Sequence, residues 1–272
     1  MELYANTPKL PALQFQIFSY KQYNGLTNMS IDHYLAANSI LTFDPIIRFY
    51  GWDPFCLSIG YHQSIKKIDM QNLNVNNYDF VRRPTGGRAI FHSGELTYSI
   101  IFPKNILTQK ELYRYIHGLL ANALNKLGYN VILASKNVKL SKLKDVATDF
   151  PCFTRSAETE VEYDGKKLIG SAQKIYPNSI LQHGSILIDD SHKNLSKYLI
   201  ADDYERYLIE NEIKSKTICL KSIIDKEITP QQIEVETLKQ LESDDNISLI
   251  FKELEDQLIY ESKKFYENEF NN

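Results

Sequence analysis

Residues 81–99 read VRRPTGGRAIFHSGELTYS, a stretch that leads from one short apolar segment to another through a loop rich in arginine and glycine. Glycine lets backbone amides approach an anion closely, and arginine adds forked, charge-assisted hydrogen bonds. The loop therefore predicts a site for a phosphate or another anion, with a solvated basic turn as the alternative. The loop residues concerned are Arg82, Arg83, Gly86, Gly87 and Arg88.

The loop lacks both common phosphate-binding patterns, Gly-x-x-x-x-Gly-Lys-Ser/Thr and Gly-x-Gly-x-x-Gly. The chain has 272 residues, of which 43% are hydrophobic and 24% charged, which is typical of a folded globular protein. Its net charge of −3 provides no overall attraction to nucleic acid or to anionic membranes. Neither a secretory signal nor a long apolar run is found, so we expect a cytoplasmic protein without nucleic-acid or membrane partners.

Two histidines stand beside or within predicted strands. His92 precedes a strand predicted over 96–102, and His183 interrupts an apolar strand predicted over 180–188. A polar group in a buried strand requires a partner, so each histidine either lines a site or is satisfied by buried hydrogen bonds. The residues alone leave both possibilities open.

A β-hairpin is predicted around Asp164 and Gly165, because a two-residue type I′ turn needs positive φ at both positions. In that register Glu162 lies across from Lys167. The second strand continues into small residues over 170–173, where another group must pack closely against the backbone. A slot for a slender acyl chain and a closely packed helix both explain them.

Other elements follow from turn and capping signals. Strands are predicted over 46–50 and 56–59, on either side of the turn residues 51–54. A further strand is predicted over 80–82, just before the arginine-glycine loop. A capping box at Thr108 begins a helix that ends at Gly128, and a weaker helix is predicted over 30–40 with Ser30 as its cap. After about residue 200 the chain is charged and helical in pattern, with a helix predicted to begin at Thr229-Pro230 and a charged amphipathic stretch over 247–265.

The cysteines Cys56, Cys152 and Cys219 are widely separated and odd in number. Their spacing supports neither a disulfide framework nor a metal site. Each is by default a small buried hydrophobe.

Three ordered blocks together closely resemble the lipoate-protein ligase and octanoyltransferase family. They are the stretch 81–99, KLIGSAQ at 167–173 and LQHGSI at 181–186. The resemblance implies an α+β fold of the biotin/lipoyl protein ligase catalytic-domain type, with a mixed β-sheet flanked by helices over residues 1–200. A small helical C-terminal appendage over 201–272 follows.

The resemblance also implies a substrate site in which an acyl chain lies in a tunnel along the glycine-rich loop. Lys167 matches the family's lysine that contacts the acyl carbonyl or the activating phosphate, although pairing with Glu162 across the hairpin is an alternative. The substrate-binding residues implied by the motifs are Arg82, Arg83, Gly86, Gly87, Arg88, His92, Gly170, Ser171, Ala172 and His183.

Cys152 decides between two reactions. Its segment Pro151-Cys152-Phe153 resembles the one that holds the acyl-accepting thiol in a branch of octanoyltransferases. That implies transfer of octanoyl from acyl carrier protein, through a Cys152 thioester, to the lysine of a lipoyl carrier domain in lipoate biosynthesis. The acceptor would be a glycine cleavage H protein or a 2-oxoacid dehydrogenase E2, and no cofactor or metal is required.

Two alternatives remain open for the same residues. In one, the protein is a lipoate-protein ligase that uses ATP and magnesium to make lipoyl-AMP. In the other, it is a non-catalytic acyl-binding module. The presence of Lys167 argues against this second alternative.

Overall fold

Twelve strands are found in this computed structural model, which describes residues 10–135 and 159–270. They form a six-stranded main sheet and two three-stranded sheets. The strands are β1 (Leu13–Tyr23), β2 (Ile46–Trp52), β3 (Cys56–Ile59), β4 (Asp79–Arg82), β5 (Ile90–His92), β6 (Glu95–Pro103), β7 (Ile132–Ser135), β8 (Thr159–Tyr163), β9 (Lys166–Lys167), β10 (Ile169–Ile175), β11 (Ser179–Leu187) and β12 (Ile247–Phe251).

The main sheet has the order β10-β11-β6-β2-β1-β12 and is mixed, as predicted. Strand β1 pairs in parallel with β2 and with β12. The pairs β2–β6, β6–β11 and β10–β11 are antiparallel. The smaller sheets have the orders β4-β3-β5 and β7-β8-β9.

Helices cover the main sheet, and none of those in the described residues combines the length and apolar character needed to cross a membrane. Short 3-10 segments are found at Ile65–Lys67 and Asp190–Tyr198. The α-helices are α1 (Gly25–Ala37), α2 (Met70–Val75), α3 (Gln109–Lys126), α4 (Asp203–Lys216), α5 (Leu220–Ile223), α6 (Pro230–Glu242) and α7 (Asp256–Phe270).

Helix α3 begins where the sequence predicts. Thr108 and Glu111 form the capping box, in which the Thr108 Oγ1 accepts from the Glu111 amide and the Glu111 carboxylate accepts from the Thr108 amide. Residues such as Leu112 and Leu124 are buried against the main sheet. Each buried leucine stabilises the fold by roughly 1.5–3 kcal/mol.

The hairpin prediction is confirmed as well. Asp164 and Gly165 have φ values of 49° and 70°, and Glu162 lies opposite Lys167 in the β8–β9 register.

One prediction near the N-terminus is wrong. Helix α1 is capped by Asn24, whose side chain accepts from the Thr27 amide, so Ser30 is a buried residue inside the helix and not its cap. Strands β2 and β3 occur as predicted, but they belong to different sheets and do not pair with each other. The chain therefore crosses from one sheet to the other within a few residues.

The residues after 200 are largely helical, and α6 begins at the predicted Thr229 cap. They also supply β12 to the edge of the main sheet, a strand in the stretch 247–265 that its charged pattern did not predict. Helix α6 packs on α3, and α7 packs on α1. The division into domains at residue 200 stays a prediction.

We expect the substitution Thr108→Ala to lower the free energy of unfolding by about 1 kcal/mol, because the first turn of α3 loses its side-chain cap. Thr108→Ser keeps the hydroxyl and is expected to stay close to wild type. Urea unfolding followed by circular dichroism measures both. Equal losses in the two variants would contradict the role of the capping hydroxyl.

Candidate functional site

The arginine-glycine loop 83–89 lies between β4 and β5 and is held by two arginine side chains. Arg82 Nη1 donates to the carbonyl oxygens of Gly60, Tyr61 and Gln63 at 3.0, 2.9 and 2.7 Å. Its guanidinium therefore fastens the segment after β3 to the base of the loop. Helix α7 reaches the same place, since the Tyr266 hydroxyl donates to the carbonyl oxygen of Arg82.

Arg83 is buried inside the loop. Its Nη1 donates to the Ser58 carbonyl at 3.2 Å and to Ser58 Oγ at 2.6 Å. Its Nη2 donates to the carbonyls of Gly86 and Arg88 at 3.3 and 2.7 Å. These bonds define the curve of the loop, so Arg83 shapes it from within. An additional role of Arg82 and Arg83 in contacting substrate stays a prediction.

Glycines allow the loop to approach its neighbour. A Cβ at Gly60 would lie 2.0 Å from the carbonyl oxygen of Gly87, so the two backbones are in direct contact. Gly87 itself has φ of 96°, a conformation that favours glycine. Gly86 and Gly87 are exposed, which leaves this part of the loop open to a ligand.

A narrow cavity lies beside the loop, and its free volume is about 20 Å³, close to the space that one water molecule needs. The structure brings six of the predicted site residues to its wall, namely Arg83, His92, Gly170, Ser171, Ala172 and His183. The cavity is not lined by Arg82 at the end of β4, by Gly86, Gly87 and Arg88 of the loop, or by Lys167, and Cys152 lies outside the described residues. The remaining lining residues are Met29, Tyr50, Trp52, Ile90, Thr97, Gly184 and Ser185.

His92 is buried and fully engaged. Its Nε2 lies 2.6 Å from Ser58 Oγ and its Nδ1 lies 2.7 Å from Glu95 Oε1, while its ring stacks on Trp52 with centroids 4.0 Å apart. Burial alone would raise the pKa of Glu95, but the interaction with His92 and the hydrogen bonds from Thr97 and Ser185 lower it below its ordinary value. The carboxylate is therefore ionised beneath the cavity.

His183 joins the cavity wall to a second buried carboxylate. Its Nε2 lies 2.7 Å from Thr85 Oγ1 and its Nδ1 lies 3.3 Å from Asp32 Oδ2. Burial would raise the pKa of Asp32, but Arg48, which donates to Oδ1, and the His183 and Ser99 side chains hold it below its ordinary value. Burial lowers the pKa of His183, opposed by Asp32, so the imidazole is neutral.

The small residues of β10 do face the cavity, as the slot interpretation expects. The Ser171 hydroxyl lies 2.7 Å from the Tyr98 hydroxyl and 2.9 Å from His117 Nε2. On the neighbouring strand, a Cβ at Gly184 would lie 2.3 Å from Ser171 Oγ and 2.7 Å from the Gly170 carbonyl oxygen. Gly184 is thus required for the close contact between β10 and β11.

Lys167 is buried at the end of β9. Its Nζ donates to Glu160 Oε1 at 2.6 Å, and both side chains are at least nine-tenths buried. Glu160 lies on the same face of β8 as Glu162, the partner that the sequence suggested. A buried ammonium beside a carboxylate has a defined position, which suits a group that must oppose charge developing on a substrate.

The sequence predicted the two histidines of the site but not the buried carboxylates that bind them, Glu95 and Asp32. Arg48 stands within the otherwise apolar strand β2, and a charge embedded in such a segment is a signal that could have indicated a buried network.

We expect Gly184→Ala to lower the free energy of unfolding by about 1–3 kcal/mol, because the new methyl overlaps Ser171 and the Gly170 backbone. Gly86→Ala is the matched control, since a Cβ there meets no atom within 4 Å. Urea unfolding measures both variants. Equal stability of the two would show that β10 yields to the methyl group.

The neutral state of His183 predicts a pH dependence of stability. The unfolded chain binds a proton near pH 6.5, whereas the folded chain resists it until lower pH, so stability is lost as the pH falls below about 6.5. We expect the loss from this group to approach roughly 1.4 kcal/mol per pH unit. Urea unfolding between about pH 7.5 and 5.5 should give a flatter dependence for His183→Gln than for wild type. Identical slopes would contradict a buried neutral imidazole.

Comparison with curated proteins finds octanoyltransferases among the relatives of this chain. The chain is 37% identical over 211 residues to octanoyltransferase LipM of Bacillus subtilis (strain 168), covering 74% of this chain and 76% of the relative. It is 35% identical over 268 residues to octanoyltransferase LipM of Clostridioides difficile (strain 630), covering 94% and 97%.

Solved structures share the fold. Lipoate-protein ligase A bound with ATP superposes with a TM-score of 0.73 at 17% identity, covering 96% of each chain. The bi-partite lipoate protein ligase of Thermoplasma acidophilum gives 0.74 at 17% identity, covering 96% of this chain and 94% of that one. At this identity the likeness concerns the fold alone, and it confirms the predicted fold type.

A family model adds the remaining comparison. The model described as the lipoyl protein ligase A/B catalytic domain matches residues 24–242. This match includes the arginine-glycine loop, both histidines of the cavity and Lys167. The chain therefore belongs to the family of lipoyl protein ligase A/B catalytic domains.

Proposed function

We propose that this protein is an octanoyltransferase that moves octanoyl from acyl carrier protein to the lysine of a lipoyl carrier domain. The observation that carries the proposal is the largely apolar cavity between the arginine-glycine loop and β10, in a chain 37% identical to an octanoyltransferase. Octanoyl is a slender apolar chain, and the cavity offers apolar walls with few polar groups. The acceptor would be a glycine cleavage H protein or a 2-oxoacid dehydrogenase E2.

The proposed reaction has two steps that share one thioester. The Cys152 thiolate attacks the thioester carbonyl of the donor, a new carbon–sulfur bond forms, and the carrier's thiol leaves after taking a proton. The acceptor's lysine amine then attacks the Cys152 thioester, loses a proton, and releases the Cys152 thiolate. The acyl group is already activated as a thioester in both steps, so neither ATP nor magnesium is required.

Comparison of the cysteines supports Cys152 as the nucleophile. Burial raises the pKa of the Cys56 thiol well above its ordinary value, with a further contribution from Asp79. Burial also raises the pKa of Cys219. Thiols held in the neutral form are poor nucleophiles, so the two described cysteines are unsuited to the reaction. Cys152 is the remaining thiol in the sequence.

Lys167 is the second catalytic residue of the proposal. The attack of a thiolate or an amine places negative charge on the acyl oxygen, and a fixed ammonium stabilises that charge. The Glu160 carboxylate at 2.6 Å restrains the Lys167 side chain before substrate arrives.

A lipoate-protein ligase that uses ATP and magnesium is the alternative function. The shared fold with lipoate-protein ligase A favours it at the level of architecture, and the exposed glycines of the loop suit a phosphate. The two reactions differ in what they require: the ligase needs ATP and no covalent thiol. A non-catalytic acyl-binding module would perform neither.

We expect incubation with octanoyl-acyl carrier protein, without ATP, to add one octanoyl group to the wild-type chain in intact mass spectrometry. Cys152→Ser should form no hydroxylamine-sensitive thioester adduct. Cys219→Ser is the matched control, because a serine can keep the contacts of Cys219 with Ser222 and Asp190, and it should be acylated like wild type.

Absence of the adduct from wild type, or its persistence in Cys152→Ser, would overturn the proposed mechanism. Lipoate, ATP and magnesium supplied together with an acceptor domain test the ligase. Lipoylated product in that assay without an adduct in the first would favour the ligase, and no product in either would favour the binding module.

A further inference from the structure

A chain of hydrogen bonds connects a buried carboxylate to Arg83 of the loop. Glu95 contacts His92 Nδ1 at 2.7 Å, His92 Nε2 contacts Ser58 Oγ at 2.6 Å, and Ser58 Oγ contacts Arg83 Nη1 at 2.6 Å. All four side chains are buried. The chain thus runs from the floor of the cavity to the inside of the loop.

The chemistry of the groups fixes the direction of these bonds. A guanidinium only donates, so Ser58 Oγ accepts from Arg83 and has its own proton to give to His92 Nε2. A carboxylate only accepts, so His92 Nδ1 donates to Glu95. The hydroxyl of Ser58 is therefore the link through which the acid–imidazole pair determines where Arg83 lies.

A second chain reaches the same loop at Thr85. Asp32 accepts from His183 Nδ1 at 3.3 Å, so the neutral His183 presents Nε2 as an acceptor to Thr85 Oγ1 at 2.7 Å. The Thr85 carbonyl in turn accepts from the Tyr61 amide at 2.9 Å. Thr85 is completely buried, and its side chain points into the protein and away from the exposed glycines.

The two chains reach the loop at Arg83 and at Thr85, two residues apart. Arg83 donates to the carbonyls of Gly86 and Arg88 and so fixes their positions. The Thr85 carbonyl connects the loop to the segment after β3. Both imidazoles also line the cavity. The side chains that contact an acyl chain in the cavity are thus the same ones that set the shape of the loop above it.

We propose that Ser58 and Thr85 are positioning residues, which hold the loop 83–89 in its substrate-binding shape by joining it to the buried pairs Glu95–His92 and Asp32–His183. This deepens the proposed function and rests on it, because the shape of the loop matters only for the substrate that it receives. Neither hydroxyl contacts the reacting atoms. Each acts through the loop.

The test uses variants of the full-length chain that remove or keep one hydroxyl. Ser58→Ala and Thr85→Val each remove a hydroxyl with little change in volume, and Thr85→Ser keeps it. Ser30→Ala is the matched control, because Ser30 Oγ is buried and has no hydrogen-bond partner among the described residues. Hydrogen exchange is measured on all four variants at the Arg83 and Tyr61 amides, which donate to the carbonyls of Ile59 and Thr85 at 2.8 and 2.9 Å. Steady-state kinetics with octanoyl-acyl carrier protein are measured on the same variants.

We expect Ser58→Ala and Thr85→Val to speed exchange of the Arg83 and Tyr61 amides by about tenfold or more, the effect of losing a hydrogen bond in a charged network. The KM for the octanoyl donor should rise by about tenfold while kcat stays within about threefold, because the loop loses its shape without loss of the reacting groups. Thr85→Ser and Ser30→Ala should match wild type in both measurements.

Unchanged amide exchange in Ser58→Ala and Thr85→Val would overturn the proposal. So would a fall in kcat with KM unchanged, which is the signature of a destabilised enzyme with fewer active molecules. Equal effects in Thr85→Ser and Thr85→Val would also contradict a role for the hydroxyl. If wild type transfers no octanoyl group, the proposed function fails, and the exchange measurement still decides whether the two hydroxyls hold the loop.

Discussion

The ion pair between Asp32 and Arg48 is the interaction on which the cavity depends. Asp32 lies on α1 and Arg48 on β2, and the same carboxylate accepts from Tyr50, Ser99 and His183. One carboxylate on a helix thus binds side chains from three strands. Loss of one partner of a buried ion pair typically costs about 3–5 kcal/mol, because the remaining charge has no compensation. The walls of the cavity are therefore fixed before any ligand arrives.

Charged side chains also determine the shape of the arginine-glycine loop. Arg82 and Arg83 direct their guanidinium groups at backbone carbonyls, which would otherwise remain without partners around a tight loop. What the loop offers to solvent is the backbone at Gly86 and Gly87. A motif rich in arginine is read most directly as a set of anion ligands, but here two of its arginines are the scaffold that presents the glycines.

Structural features that depend on residues close together in sequence were predicted better than those that depend on distant residues. The hairpin at Asp164 and the cap at Thr108 depend on residues next to each other in sequence, and both were predicted correctly. The cap of α1 was misplaced because Ser30 has the right residue type, while Asn24 has the right position. Strand β12, with the uncharged sequence ISLIF, was missed because the longer stretch 247–265 was interpreted as one charged amphipathic segment.

The candidate site shows the same division. The motifs identified His92, His183 and the small residues of β10, all of which meet at the cavity. Asp32 was not singled out, because its partners Arg48, Ser99 and His183 come from distant parts of the chain and are known only once the strands are ordered. Sequence thus identified the residues that face the cavity, and the structure was needed to find those that hold them.

The pairing of β1 with β12 has a consequence for how the protein is made. β1 is the first strand of the main sheet and β12 is the last, and the two are neighbours in parallel register from Leu13 with Ile247. While the ribosome is still adding the intervening residues, β1 has one edge without a partner. Such an edge can pair with other chains and promote aggregation, and a contact between residues so far apart forms slowly. The pairing of β1 with β12 can therefore form only after residues 247–251 have been synthesised.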